Sequence, residues 1–417
     1  MPVSEGIPTK TPLCTVPHSA ANSPFLELKV DIAKAKSLDI AISHEAPRFE
    51  PIEPSVRRLK FSGDNTFYLA LKRRVEERLR DSGRRQRDCP EMYLKTAIIL
   101  ASFASTYGLL VFVATTWWQA LPLAVLLALT VVAIGFNIMH DASHQAYSDR
   151  RWVNRLMAMS LDLVGGSSYF WHWKHVVFHH TFVNVIGYDT DIDLAGLGRL
   201  TPHHRRAWIH RWQHLYVWFL YGVMVVKWHL YDDFRLALTG RMGEHRFPRP
   251  RAWQWVGFFG GKVVFLSLAF ALPLTLHPAW AVAAVYLTTT VIVGVVLAVV
   301  FQLAHCLAQA DFPVDHVAGR IDKAWAVHQV ETSVDFARDS RAACWLLGGL
   351  NFQIEHHLFS RICHVNYPAI AELVEETCRE FGVRYNYNRT FLSALRSHYC
   401  WLREMGRAPS TEVGAAP

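Results

Sequence analysis

Three separated clusters in this chain place imidazoles at spacings that suit metal binding. The clusters comprise His140 and His144, His175 with His179 and His180, and Gln353 with His356 and His357. Residues three and four apart lie on one face of a helix, so each cluster can direct several side chains towards one point. Imidazole is the commonest protein ligand for metals, and the repeated pattern predicts one large metal site assembled from distant parts of the chain.

The number of imidazoles predicts more than one metal ion. His305 ends a second long apolar stretch as His140 ends a first one, and a polar group at the end of a membrane span is costly unless it is paired or functional. Eight histidines, with Gln353 as a weaker ninth donor, exceed the four ligands of one tetrahedral zinc ion. Imidazole-rich sites with open positions suit redox-active iron, although spacing alone leaves copper, zinc and manganese open.

Nearby carboxylates are expected to orient these imidazoles by accepting a hydrogen bond from the second ring nitrogen. The candidates are Asp141, Asp189, Asp191, Asp193 and Glu355. His172, His203, His204, His210 and His214 fall outside the clusters and are interpreted as solvated or headgroup-facing residues.

The elements that carry the clusters are predicted to be membrane helices. The chain is 51% hydrophobic and only 19% charged, and neither 96–139 nor 263–304 contains Asp, Glu, Lys or Arg. Because about 20 residues cross a bilayer, each stretch is long enough for a hairpin of two spans. We expect spans at about 96–117, 119–139, 255–276 and 279–304. The predicted fold is therefore an all-α, multi-pass integral membrane protein with a helical cap on the cytosolic side.

Charge asymmetry predicts the orientation of this protein. The basic residues lie outside the hairpins, in 56–95, 145–262 and 316–407. The positive-inside rule then places both termini and all three histidine clusters in the cytoplasm. The formal charge of +8 is better explained by anionic lipid headgroups or acidic partners than by nucleic acid, since the chain has long apolar spans.

The remaining segments are predicted from composition and period. Residues 1–55 and 404–417 are expected to be a disordered arm and tail around a membrane domain at 56–403. From Asp64, apolar residues recur about every four positions through Leu79, which predicts an amphipathic helix lying on a membrane surface or on the protein's own body. The stretches 152–163 and 208–231 are interpreted as interfacial helices, with a short fifth span at 215–226 as an alternative.

The clusters resemble the three histidine boxes of the membrane fatty acid desaturases. His140-Asp-Ala-Ser-His144 is similar to the HxxxH box, and His175-Val-Val-Phe-His179-His180 to the HxxxHH form of the second. Gln353-Ile-Glu-His356-His357 resembles the QxxHH third box that is typical of the front-end, linoleoyl-CoA-desaturase-like branch. The resemblance runs from about Phe61 to Arg403 and implies four membrane helices under a cytosolic cap that holds two iron ions. It also implies that His305 matches an extra ligand at the end of the fourth span.

The same resemblance predicts the reaction and its partners. It implies an enzyme that uses O2 to introduce a cis double bond into a fatty acyl chain carried by CoA or a lipid. Many front-end members carry a cytochrome b5 domain with a His-Pro-Gly-Gly haem motif, and that motif does not occur in these 417 residues. We therefore expect electrons to come from NAD(P)H through a separate ferredoxin or cytochrome b5-like protein. Ser360 stands where a proline is common in the family.

Other functions remain open on the sequence alone. A lipid hydroxylase, ketolase or epoxidase would use the same site. A haem membrane protein would need facing histidines at equal depth, and a metal transporter would need polar ligands within the spans, where Asn137 is the main polar residue. A group of basic residues can bind a phosphate or an acidic donor or simply be solvated, namely Arg150, Arg151, Lys174, Arg205 and Arg206.

Overall fold

The computed structural model describes residues 59–243, 245–313 and 319–407, so the expected arm at 1–55 lies outside the described residues. Four helices in the described ranges are long and apolar enough to cross a membrane. They are Pro90–Phe112, Trp117–Ser143, Ala252–Leu274 and Ala279–His305, called here the first to fourth spans. Short turns at 113–116 and 275–278 join them in pairs, which confirms the prediction of four spans.

The first span is displaced from its expected position for a local reason. Pro90 occupies the first turn, where its missing N–H costs nothing, and the helix begins there rather than near 96. The turn expected near Trp117 lies earlier, at 113–116, because Gln119 Oε1 accepts hydrogen bonds from the backbone N–H groups of Thr115 and Thr116. Trp117 is therefore the first residue of the second span.

The expectation that Asn137 is the main polar group within the spans was wrong. The first span contains Lys95, whose Nζ lies 2.9 Å from His364 Nε2. The third span contains Lys262, whose Nζ donates to Asp233 Oδ2 at 2.8 Å. Both lysines are buried and paired, which is the condition under which charged groups are tolerated at such positions.

Between the hairpins the chain forms a series of short helices. They are Arg151–Ala158, Ser160–Leu163, Ser168–Trp171, the π-helix His172–His179, His180–Phe182, the 3-10 turns Thr190–Ile192 and Trp208–Trp212, Gln213–Lys227, the π-helix Trp228–Asp232 and Asp233–Thr239. Trp152 and Leu156 are 63% and 54% exposed, as an interfacial helix requires. Helix Gln213–Lys227 is not among the four spans, and its place at the membrane interface stays a prediction.

The amphipathic helix near the start of the described chain packs on the protein itself. Helix Thr66–Asp81 buries Phe67, Leu71, Val75 and Leu79, and this face lies in one apolar cluster with helix Tyr367–Glu380. The sequence left open whether this helix rests on a membrane surface or on the protein itself, and the structure shows that it packs on the protein.

The C-terminal part completes the cap around the histidines. Its helices are Trp325–Glu331, Arg341–Leu346, Gln353–Leu358, the 3-10 turn His364–Asn366, Tyr367–Glu380 and Phe391–Gly406. The last helix continues into the tail that was expected to be disordered from 404, because Leu402 and Met405 are buried in the core. Residues 408–417 lie outside the described residues.

The described residues also contain six two-residue strands, which form three pairs. Lys60–Phe61 pairs in parallel with Arg320–Ile321, and Asp335–Phe336 in parallel with Tyr387–Asn388. Arg241–Met242 and His245–Arg246 form a short antiparallel pair. Each pair fastens a loop of the cap, and the fold remains a helical one.

Candidate metal centre

The second span delivers the first histidine cluster. The helix widens into a π-helix at Ile134–Met139 and returns to α-helix at His140–Ser143. Segments of this kind are frequent at functional sites because they redirect the residues that follow. The side-chain Nδ2 of Asn137 donates hydrogen bonds to Ala133 O and to Leu346 O. The second bond links the widened turn to the part of the chain that precedes the third cluster.

The second cluster lies on another π-helix, His172–His179. In a regular α-helix, His175 and His179 would lie on one face and His180 would point away from that face. The wider i→i+5 turn changes this, because it brings His180 back towards the face of His175. All three imidazoles are buried in the same interior.

Seven of the predicted residues form two groups whose ligand atoms lie within 4.8 Å of one another. The first group is His140, His144, His175 and His356, and the second is His179, His305 and His357. The second box is divided, with His175 in the first group and His179 in the second, although both also lie with Asp191 in a set of ligand atoms within 4.8 Å. The third box is divided between His356 and His357, whereas His140 and His144 stay together in the first group. Sequence spacing alone did not reveal this division.

His180 lies between the two groups. Its Nε2 is 2.9 Å from His356 Nε2, and its ring stacks on His357 with centroids 4.2 Å apart. Gln353 begins the helix that carries His356 and His357 and is buried, with no hydrogen-bond partner for its Nε2 among the described residues. The role of Gln353 as a ligand stays a prediction.

Outer hydrogen bonds leave the Nε2 atoms of the second group facing one another. His179 Nδ1 lies 3.0 Å from Asp189 Oδ2, His305 Nδ1 3.2 Å from Thr332 O, and His357 Nδ1 3.0 Å from Gln329 Oε1. In the first group His356 Nδ1 lies 3.2 Å from Tyr367 OH. Such partners fix the tautomer and raise ligand basicity. No spacing signal in the sequence pointed to Gln329, Thr332 or Tyr367.

The predicted carboxylates do different things. Asp189 holds His179 as expected, and Asp191 lies 3.6 Å from the same ring nitrogen. Asp141 instead lies 2.8 Å from His364 Nδ1, and Glu355 Oε1 lies 2.9 Å from the hydroxyl oxygen of Tyr385. The expectation that Asp141 and Glu355 orient the clustered histidines directly was therefore wrong.

A buried carboxylate holds the helix of the third cluster. Asp335 Oδ1 accepts from the backbone N–H of Ile354 at 2.9 Å, and its Oδ2 accepts from Tyr385 OH at 2.6 Å. The first bond satisfies an N–H at the start of helix Gln353–Leu358, where no helical partner exists. Asp335 lies far from the boxes in sequence, and the sequence analysis missed it.

Burial favours the neutral, metal-binding form of most of these imidazoles, with His179 as the exception. Burial lowers the pKa of His175, His180, His356 and His357 well below its usual value, since a charged ring would lose its hydration. Burial also lowers the pKa of His179, but the charge and hydrogen bond of Asp189 outweigh it and raise the pKa. Neutral rings with free Nε2 atoms are what a metal ion requires.

Unsatisfied atoms support metal ions at both groups. His144 Nε2 in the first group and His179 Nε2 in the second are buried without a hydrogen-bond partner among the described residues. Such orphan groups are rare in folded proteins, and a bound metal ion would satisfy both. The Nε2 atoms of His140 and His175 are 2.9 Å apart, and those of His305 and His357 3.3 Å apart. These are the separations of two ligands that each lie about 2.0–2.1 Å from one ion.

A largely apolar cavity of about 1020 Å³ runs from the histidines along the spans. Its lining includes His140 of the first histidine group and His277, in the turn between the third and fourth spans. Phe103, Val131 and Leu297 are among the apolar side chains along it. A cavity of this kind suits a long hydrocarbon chain that ends beside the first histidine group.

Comparison with known proteins places these features in a family. The fatty acid desaturase model matches residues 115–389. An sn-1 linoleoyl-lipid 6-desaturase of Synechocystis sp. is 36% identical over 358 residues, which are 85% of this chain and 99% of that protein. The same enzyme of Arthrospira platensis is 38% identical, with 85% and 97% covered. An acyl-lipid (8-3)-desaturase of Physcomitrium patens is 37% identical, with 82% and 72% covered. The chain therefore belongs to the fatty acid desaturase family, in its front-end branch.

Proposed function

We propose that this enzyme uses two iron ions and O2 to place a cis double bond near the carboxyl end of a fatty acyl chain in a membrane lipid. The observation that carries this proposal is the meeting of two histidine groups beside a long apolar cavity, which is lined by His140 of the first group. The names of the relatives, an sn-1 linoleoyl-lipid 6-desaturase and an acyl-lipid (8-3)-desaturase, support a lipid-linked substrate and a position near the carboxyl end.

The histidines would form two metal positions. One ion would be held by His140, His144, His175 and His356, and the other by His179, His305 and His357, with His180 between them and Gln353 a weaker donor. A bound pair of irons would supply the activation of O2 that removal of two unactivated hydrogens needs. Burial keeps most of the imidazoles neutral and excludes water from them, and the apolar cavity would hold the acyl chain.

We propose a separate electron donor, a ferredoxin or a cytochrome b5-like protein that carries electrons from NAD(P)H. The basic residues considered for its docking differ in availability. Lys174 Nζ is 2.7 Å from Asp191 Oδ1, and Arg206 Nε donates to Gly406 O. Arg150 and Arg151 are exposed and are better placed to meet an acidic partner.

The distribution of basic residues supports an orientation with both termini and the metal centre in the cytoplasm. The histidines at the ends of the second and fourth spans and the C-terminal cap then lie on that side. This orientation also gives a soluble electron donor access to the cap.

Expression in a host of known lipid content tests the proposal. Derivatised fatty acids, analysed by gas chromatography and mass spectrometry, should show one new double bond in the presence of iron and a donor. The double variant His356→Ala/His357→Ala, which removes one imidazole from each group, should show none. A hydroxylated or epoxidised product instead would favour the alternative outcome of the same site, and a double bond made by the double variant would refute the assigned site.

A further inference from the structure

A buried ion pair between Lys262 and Asp233 joins the third span to helix Asp233–Thr239. Lys262 lies ten residues into the span Ala252–Leu274, about 15 Å along the helix. Its Nζ donates to Asp233 Oδ2 at 2.8 Å, to Gly165 O at 2.7 Å and to His229 O at 3.3 Å. These contacts use all three of its protons, and the side chains of Lys262 and Asp233 are only 6% and 0% exposed.

The ion pair is connected to the histidines through two tryptophans. Asp233 Oδ1 accepts from Trp228 Nε1 at 3.0 Å. The ring of Trp228 stacks on Trp171, with centroids 5.8 Å apart and planes 26° apart. Trp171 in turn stacks on His175, with centroids 4.6 Å apart and planes 25° apart. An unbroken series of contacts thus runs from Lys262 to a member of the first histidine group.

This series forms part of the wall of the apolar cavity. Trp171, Trp228 and Asp233 line the same space that reaches His140. An acyl chain that lies in this cavity beside His140 would contact these two indoles. A shift of the indoles would then change which carbons lie next to His140.

Stability does not explain why this pair is charged. A buried ion pair can often be replaced by apolar side chains of similar size without loss of stability. A carboxylate with a fixed partner on each oxygen supplies direction, because it holds the Trp228 indole at one rotation where apolar contacts would allow several. The π-helix Trp228–Asp232 increases the need for such a restraint, since the widened turn breaks the regular backbone pattern.

We propose that the Lys262–Asp233 ion pair is a positioning element that sets the register of the acyl chain against the histidines, and thereby the carbon pair that becomes unsaturated. Lys262 and Asp233 act through Trp228 and Trp171 and do not themselves take part in the chemistry. The inference rests on the proposed function, because it needs an acyl chain in the cavity.

The test replaces both charges together, so that neither is left buried alone. In the full-length enzyme, Lys262→Met/Asp233→Leu removes the pair and the acceptor of Trp228. Trp228→Phe keeps the ion pair but removes both the hydrogen bond to Asp233 and the indole that stacks on Trp171. The matched control is Arg74→Met/Glu380→Gln, which removes a partly exposed ion pair of 2.6 Å between helices of the cap.

We expect both test variants to place double bonds at neighbouring positions as well as at the position that the parent enzyme uses. The parent position should lose at least about half of its share, and the rate should fall about ten- to hundred-fold, as for small misplacements of a substrate. The control should keep a single position and its rate. A single unchanged position with a rate within about two-fold of the parent, in either test variant, would overturn the proposal.

A second readout does not depend on turnover. Stacked indoles give a strong circular dichroism signal, and Trp228→Phe defines the share that comes from the Trp171–Trp228 stack. Lys262→Met/Asp233→Leu should lose most of that share, whereas an unchanged spectrum contradicts the positioning role. If the parent makes no double bond, the proposed function fails while the spectrum still decides the role of the ion pair. If the double variant does not fold, the product positions of Trp228→Phe decide it.

Discussion

Single carboxylates outside the histidine groups determine how firmly the imidazoles are held. Oδ2 of Asp189 accepts hydrogen bonds from His179 Nδ1 and from the backbone N–H of Asn184. It therefore fixes both the tautomer of His179 and the loop that follows. Asp193, four residues later, is exposed, and its Oδ1 accepts the backbone N–H of Ala195.

We expect Asp189→Asn to weaken metal binding at the second group about 10- to 100-fold, the usual cost of losing such a partner. Competition with a graded series of chelators, followed by the iron content of the purified protein, measures the change. Asp193→Asn is the control, because its side-chain oxygen can still accept the Ala195 N–H. Equal chelator resistance in the two variants would show that Asp189 does not support a ligand.

Asp162 carries a pH dependence that is separate from the metal centre. Burial raises the pKa of its carboxyl to about 6, and the hydrogen bonds from Ser168 offset this only in part. The native state then binds a proton that the unfolded chain, with its carboxyl near 3.8, has released. The resulting stabilisation is present at acidic pH and is lost as the pH rises through about 6.

Because the Asp162 carboxyl stabilises the native state at acidic pH, lowering the pH should raise the unfolding free energy of Asp162→Asn less than that of the parent. Between pH 7.5 and pH 5 the parent should gain about 1.4 kcal/mol of unfolding free energy from this group, one pKa unit's worth. Unfolding temperatures of parent and variant, measured at both pH values, give the difference. Parallel pH profiles would mean that Asp162 is ionised in the native protein at pH 5.

Elements meet at the metal centre through close backbone contacts. Gly348, in the loop before the third cluster, has φ +62°, and a Cβ there would lie 2.3 Å from Phe136 O in the π-helix of the second span. The glycine therefore lets the loop touch the widened turn that precedes His140. Gly382 has a similar φ of +68°, but a Cβ there would meet no atom within 4 Å.

The two glycines separate backbone strain from steric clash. We expect Gly382→Ala to cost about 1–2 kcal/mol, the price of a left-handed conformation alone. Gly348→Ala should cost clearly more and also lower the iron content, because the loop must move away from the second span. Thermal unfolding and iron analysis of both variants provide the comparison. Similar losses in the two would contradict a tight contact at Gly348.

For the whole molecule, the hairpins and the membership of the site could be predicted from sequence because charge-free stretches and repeated histidines are local signals. The division of the histidines between two groups could not be. It depends on two π-helices that rotate His140 and His180, and a spacing rule assumes regular α-helix. Gln329, Thr332, Tyr367 and Asp335 lie in other elements and turns of the cap, and only its packing brings them to the site. Lys262 was overlooked because the charge-free stretch begins immediately after it.

The orientation of the whole chain can be tested with single cysteines. Thr115→Cys lies in the turn of the first hairpin, and Ser82→Cys lies after the cap helix Thr66–Asp81; both positions are exposed. A maleimide that cannot cross membranes should label Thr115→Cys in intact cells and Ser82→Cys only after lysis, with the unsubstituted chain as background. The reverse pattern would invert the proposed topology.

The central claim is that the eight histidines form two metal positions, and the number of iron ions per chain tests it most directly. Purified enzyme should contain two irons per chain and show no Soret band. His305→Ala, which removes a ligand of the second group alone, should retain about one iron, as expected when one site loses a ligand. One iron in the parent, loss of both irons in His305→Ala with the fold intact, or a haem spectrum would contradict the account.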